Sequence, residues 1–100
     1  MYDNILYAEN QGIATITINR ESQLNALTID TIQEVGLAMQ KALATDQVKG
    51  IIITGSGEKA FIAGADIKEF SDFSPEEARD MSAAGHDVFN VIENSSKPVI

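Results

Sequence analysis

The chain has 100 residues, 44% of them hydrophobic and 22% charged, with 7 Gly and 2 Pro; this composition describes one small globular unit and excludes disordered, collagenous and low-complexity classes. Its 15 acidic residues against 7 basic ones leave a net charge of −8, a field that repels phosphate backbones, so neither nucleic acid nor a membrane is an expected partner. With no Cys and 1 His, disulfides, thiolate-bound metals and His clusters are excluded. The apolar runs at 50–54 and 60–65 are far shorter than the ~20 residues that span a bilayer. The residues after Met1 do not read as a secretory or transit leader, so the expected compartment is the cytoplasm.

Taken in chain order, Ile5-Leu6-Tyr7 and Ile13-Ala14-Thr15-Ile16-Thr17-Ile18 read as the two strands of an antiparallel hairpin. Between them, Glu9-Asn10-Gln11-Gly12 supplies turn chemistry through Asn and Gly. In the second strand, Ala14, Ile16 and Ile18 share one face and Thr15 and Thr17 the other. A helix follows, with Thr28 as N-cap and a stripe of Ile29, Ile32, Val35, Leu37, Met39, Ala42 and Leu43. Asp30 and Glu34 near its start and Lys41 near its end complement the helix dipole. Gly36 in the interior costs up to ~1 kcal/mol relative to Ala, which points to close packing there. The run Lys49-Gly50-Ile51-Ile52-Ile53-Thr54-Gly55 suits a strand of a parallel sheet covered on both faces.

Gly55-Ser56-Gly57-Glu58 reads as a turn, and Ala65-Asp66-Ile67-Lys68-Glu69-Phe70 can begin a helical turn. Ser74-Pro75-Glu76-Glu77 is a helix start: Ser at the N-cap, Pro at the first helical position and two carboxylates in the first turn. The stripe of this helix includes Ala78, Met81, Ala84, Val88 and Ile92, with Phe61 and Phe89 read as core. His86 is placed on the surface, and Asp3, Glu9, Asp72, Glu76, Glu77 and Glu93 as surface or capping charges. Lys97-Pro98-Val99-Ile100 opens another strand. Strands alternating with helices imply an α/β fold with right-handed crossovers. A strand cut at Ile100 is read as the N-terminal part of a longer single domain.

The small-residue run Ala63-Gly64-Ala65 leads into Asp66. Such a turn lets a ligand approach the backbone, and unpaired N–H groups at a helix start can hold a developing oxyanion. On these residues alone, a tight strand-to-helix turn is the commoner explanation of the run.

A more specific signal is the whole segment Glu58-Lys59-Ala60-Phe61-Ile62-Ala63-Gly64-Ala65-Asp66-Ile67-Lys68-Glu69-Phe70. It resembles the acyl-CoA-binding segment of the crotonase (enoyl-CoA hydratase/isomerase) superfamily. Asn19-Arg20 and Leu24-Asn25-Ala26-Leu27 resemble that superfamily's earlier signature. Ser96-Lys97-Pro98-Val99-Ile100 resembles the strand leading to its second oxyanion segment. The resemblance implies a crotonase-like spiral of ββα repeats, of which residues 1–100 are the N-terminal portion. It further implies an acyl-CoA thioester as substrate, no separate cofactor or metal, and a homotrimer or hexamer.

Residue by residue, the resemblance makes the Ala65 backbone N–H the first oxyanion donor. Ala63 and Gly64 would meet the adenine, and Asp66, Ile67 and Lys68 the pantetheine. Lys59 would lie near the phosphates, Phe70 near the acyl chain, and Leu24 and Ala26 beside adenine and pantetheine. Glu21 and Ser22 stand where the family often has Pro and then a phosphate-holding Lys, so Lys59 and Lys68 would carry more of the attraction to CoA. Asp66 retains a second reading as a first-turn carboxylate, and Lys59 and Lys68, outside this motif, would be solvated lysines. The implied second donor and two catalytic glutamates would lie beyond Ile100. The segment from Gly64 to Phe70 is more similar to the short-chain hydratase branch than to the naphthoate-synthase branch. Enoyl-CoA hydration is therefore the expected reaction, with isomerase, decarboxylase and hydrolase relatives, or a non-catalytic acyl-CoA-binding fragment, as alternatives.

Overall fold

The computed structural model describes residues 2–20, 25, 27–57 and 75–100. Strands β1 (Ile5–Asn10) and β2 (Ile13–Ile18) pair antiparallel, Ile5 opposite Ile18 and Asn10 opposite Ile13. The two residues joining them, Gln11 and Gly12, both have positive φ, 53° and 84°. This is the turn twist that matches a right-handed hairpin. The turn chemistry was expected from Asn10 and Gly12; Asn10 instead ends β1, and Gln11 adopts the left-handed conformation. The Gly12 carbonyl then accepts from the Lys49 N–H at 2.7 Å, tying the hairpin tip to the approach of the third strand.

Helix α1 (Ile29–Ala44) starts where the sequence places it: the Thr28 side chain accepts the Thr31 N–H at 3.2 Å. Asp30 stands in the first turn and Lys41 in the last. Glu34 has a different task from the expected dipole role, because its carboxylate accepts from both the Asn4 backbone N–H (2.9 Å) and side chain (2.6 Å). The buried stripe is Thr31, Ile32, Val35, Ala38, Met39 and Ala42. Leu37 falls outside it and is 57% exposed. Two residues beyond Val35 it has turned about 200° around the axis, onto the opposite side.

Strand β3 (Gly50–Gly55) lies parallel to β2, with Ile51 opposite Ala14 and Gly55 opposite Ile18. Helix α2 (Pro75–Glu93) begins at the expected proline and returns the chain to the sheet. There Val99 bridges Ile51 in parallel, with the Ile100 N–H donating to the Ile51 carbonyl at 2.9 Å. The helices α1 and α2 touch each other, and Val88, Val91 and Ile92 of α2 pack on the cluster formed by Ile16, Ile18, Val35, Met39 and Ile51. Both helices therefore cover one face of the sheet. Each fully buried aliphatic side chain in that layer contributes about 1.5–3 kcal/mol of transfer free energy.

This one-sided layering corrects two expectations. The apolar run of β3 was read as covered on both faces, yet Ile52, on the side away from the helices, is 38% exposed. Phe89 was read as core and is 51% exposed, since it sits one residue, about 100°, around the helix from the inward Val88. Gly36 fulfils its expectation: a Cβ there would lie 3.1 Å from Val88 Cγ2, so the missing side chain lets α1 and α2 approach. His86 is exposed, as expected. Phe61 and Asp72 lie outside the described residues, as do the side chains of Glu77, Ala78, Met81 and Ala84.

Candidate functional site

The carboxyl ends of the parallel neighbours β2 and β3 lie side by side, and in open α/β sheets the crevice beyond such ends is where ligands bind. The backbone leaving both strands is held by an explicit set of hydrogen bonds. Just past β3, the Ser56 N–H donates to the Ile18 carbonyl at 2.8 Å. Past β2, the Asn25 N–H donates to the Arg20 carbonyl at 2.8 Å, and the Arg20 N–H donates back to Asn25 Oδ1 at 2.9 Å. The amide Nδ2 of Asn25 then crosses to the Ser56 carbonyl at 3.0 Å.

Asn25 is 1% exposed with φ 58°. Asn enters that left-handed region more readily than most residues, and its carboxamide carries both a donor and an acceptor. Gly57, the last described residue of this exit, also has positive φ, 78°. Ser56 Oγ is buried with no partner among the described residues.

Next to these exits is an apolar groove of about 330 Å³ between the sheet and both helices. Ile18 and Ile53 from the strands, Leu27 and Val35 from the first half, and Val88 and Phe89 from α2 contribute to its wall. At the opposite end of the strands, the C-terminus of α1 is closed by Lys97. Its Nζ donates to the Ala42 and Thr45 carbonyls, each at 2.8 Å, and Ser95 Oγ accepts the Lys97 N–H at 3.1 Å.

The site residues assigned from sequence, Leu24, Ala26, Lys59, Ala63, Gly64, Ala65, Asp66, Ile67, Lys68 and Phe70, all lie outside the described residues, as do Glu21 and Ser22. Residues at their edges are described: Arg20 and Asn25 belong to the first signature, and Gly57 precedes the second. The structure brings these residues together at one end of the sheet. Sequence reasoning quoted Asn25 only as part of a motif and gave it no task. The available signal was a carboxamide between apolar residues in a loop, a residue type suited to satisfying backbone groups in a left-handed turn. Among the described residues no group of three or more His, Asp or Glu could hold a metal ion, and no helix is long and apolar enough to cross a membrane.

Comparison with known proteins adds an independent line. The family model described as enoyl-CoA hydratase/isomerase matches residues 8–100. A crotonyl-CoA hydratase of Syntrophomonas wolfei is 42% identical over 99 residues, covering 99% of this chain and 38% of that protein. A short-chain-enoyl-CoA hydratase of Clostridium acetobutylicum is 38% identical over 98 residues, covering 98% of this chain and 38% of its own length. The crystal structure of an enoyl-CoA hydratase from Bacillus anthracis superposes with a TM-score of 0.92 at 30% identity, over 97% of this chain and 38% of that one. This chain thus spans about 38% of the length of these relatives.

Proposed function

Since the chain belongs to the enoyl-CoA hydratase/isomerase family and carries a crotonase-type fold, we propose that its protein is an enoyl-CoA hydratase, adding water to a short 2-enoyl-CoA. The observation that carries this reading is the clamped pair of exits at the ends of β2 and β3, beside which lie the two segments that resemble acyl-CoA signatures.

In hydration, a water oxygen bonds to Cβ of the conjugated thioester as the C=C π bond breaks and the water gives up one proton, and a proton is then delivered to Cα. Between these events the electron pair rests on the thioester oxygen as an enolate. The Ala65 backbone N–H is proposed to donate to that oxygen, and one such fixed donor stabilises a transition state by about 2.7–4 kcal/mol. Ala63, Gly64, Asp66, Ile67 and Lys68 would hold adenine and pantetheine, with Leu24 and Ala26 on the other side, Lys59 at the phosphates and Phe70 at the acyl chain. No residue of this chain is assigned as the acid or the base. The reading includes no cofactor beyond the CoA of the substrate, a cytoplasmic location, no nucleic-acid partner, and a homotrimer or hexamer.

The test starts with the intact mass of the polypeptide as its source makes it, against 10.8 kDa for these residues, followed by a crotonyl-CoA hydration assay on that polypeptide. A larger mass with turnover supports the hydratase. Acyl-CoA binding without turnover favours the non-catalytic binding fragment, and neither binding nor turnover removes both readings.

A further inference from the structure

We infer that Asn25 is a positioning residue: its carboxamide locks the exit of β3 onto the exit of β2 and thereby sets where the segment carrying Ala65 departs. This rests on the acyl-CoA reading above. Ser56 is gripped from both sides, its N–H by the Ile18 carbonyl and its carbonyl by Asn25 Nδ2. The peptide unit joining Ser56 to Gly57 is planar, so fixing the Ser56 carbonyl also fixes the direction in which the chain leaves. The other end of the carboxamide is anchored by the Arg20 N–H, so the hold is referred back to the residues directly after β2.

Packing alone does not explain the residue. A buried carboxamide is costly unless its donor and acceptor are both used, as they are here; an aliphatic side chain of the same size would be strained at φ 58° and would leave the Arg20 N–H and the Ser56 carbonyl without these bonds. What Asn25 adds is direction. A displacement of about 1 Å in a group that must meet a reacting oxygen costs on the order of a hundredfold in rate, even when the altered residue is remote from the chemistry.

The experiment compares Asn25→Asp and Asn25→Gly in the polypeptide as its source makes it. Aspartate keeps the acceptor for Arg20 but turns the donor facing Ser56 into a second acceptor. Glycine accepts the positive φ and removes the described bonds to Arg20 and Ser56. Val48→Ala, a buried site before the other end of β3, serves as a destabilised control. Below the melting transition, kcat for crotonyl-CoA hydration should fall about a hundredfold in both Asn25 variants, KM should change less than about fivefold, and the control should keep kcat within about twofold.

Hydrogen exchange supplies a readout independent of turnover: in Asn25→Asp the Ser56 amide, bonded to the Ile18 carbonyl, should exchange at least about tenfold faster while the amides of α1 stay protected. Asn25 variants with the control's kcat, or exchange that quickens uniformly through the fold, would overturn the inference. Absence of turnover in the unaltered polypeptide would instead defeat the hydratase reading, and the local exchange at Ser56 would still decide what Asn25 holds.

Discussion

Alanine at Gly85 and at Gly36 applies the same chemical change to two helix interiors with different surroundings. In either helix, replacing Gly by Ala stabilises by about 0.8–1 kcal/mol through lower backbone entropy in the unfolded chain. At Gly85 in α2 an added Cβ meets nothing within 4 Å among the described residues, so the whole gain should appear. For a chain of this size it would raise Tm by about 4–8 °C. At Gly36 in α1 the same methyl would stand 3.1 Å from Val88 Cγ2, inside the ~3.5–4.0 Å optimum for two carbons. Forcing the helices apart costs about 1–3 kcal/mol, which cancels or exceeds the helical gain.

Gly36→Ala is therefore expected to range from neutral to about 2 kcal/mol destabilising. Val88→Ala removes the methyl in the way, so the double variant should be more stable than the two single changes sum to, by about 1 kcal/mol. Urea titration of the four proteins measures these differences through the midpoint at constant slope. Gly36→Ala stabilising as much as Gly85→Ala, or strict additivity with Val88→Ala, would refute the close helix approach.

Lys97→Met keeps the aliphatic stem but removes the ammonium that bonds the Ala42 and Thr45 carbonyls. Because the Ala42 carbonyl also accepts the Thr45 N–H and the Thr45 carbonyl the Val48 N–H, neither acceptor is orphaned; the loss is that of two charge-assisted bonds, and about 1–2 kcal/mol of stability should disappear in urea titration. Burial, then the Glu9 hydrogen bond and charge, push the Tyr7 phenol above its ordinary value. A raised folded value means that the native state keeps its proton longest. The associated stability is thus fully present below the unfolded phenol value of about 10 and is lost as pH rises beyond it. Thermal melts from about pH 9 to 11 should show a steeper decline in the unaltered chain than in Tyr7→Phe, and equal slopes would contradict this. Met39 is completely buried among α1 and sheet residues, so Met39→Ala should cost about 2–5 kcal/mol by the same titration.

What could be read from the sequence was what neighbours along the chain decide. The alternation through Ala14, Ile16 and Ile18 set the inward face of β2. The hydroxyl of Thr28 marked the start of α1, and a proline marked that of α2. The parallel pairing of β3 followed from its apolar run between two helical patterns. Leu37, Ile52 and Phe89 went the other way because their exposure depends on which single face both helices cover, a fact no local pattern contains. Asn25 and Lys97 act through partners 31 and 55 residues away in sequence, so their tasks became visible only in the folded chain. For the acyl-CoA contacts the motif resemblance went further than the fold: the structure places the exits from which those segments depart, while Ala65 and its companions lie outside the described residues.

The most direct measurement of the central claim is amide hydrogen exchange with and without saturating butyryl-CoA, a saturated thioester that has no double bond to hydrate. Binding at the carboxyl ends of β2 and β3 predicts added protection at Asn25, Ser56 and Gly57, with Gly12, Val48 and Lys49 at the opposite ends unchanged. Protection confined to those opposite ends, or none anywhere at saturation, would contradict an acyl-CoA site in this position.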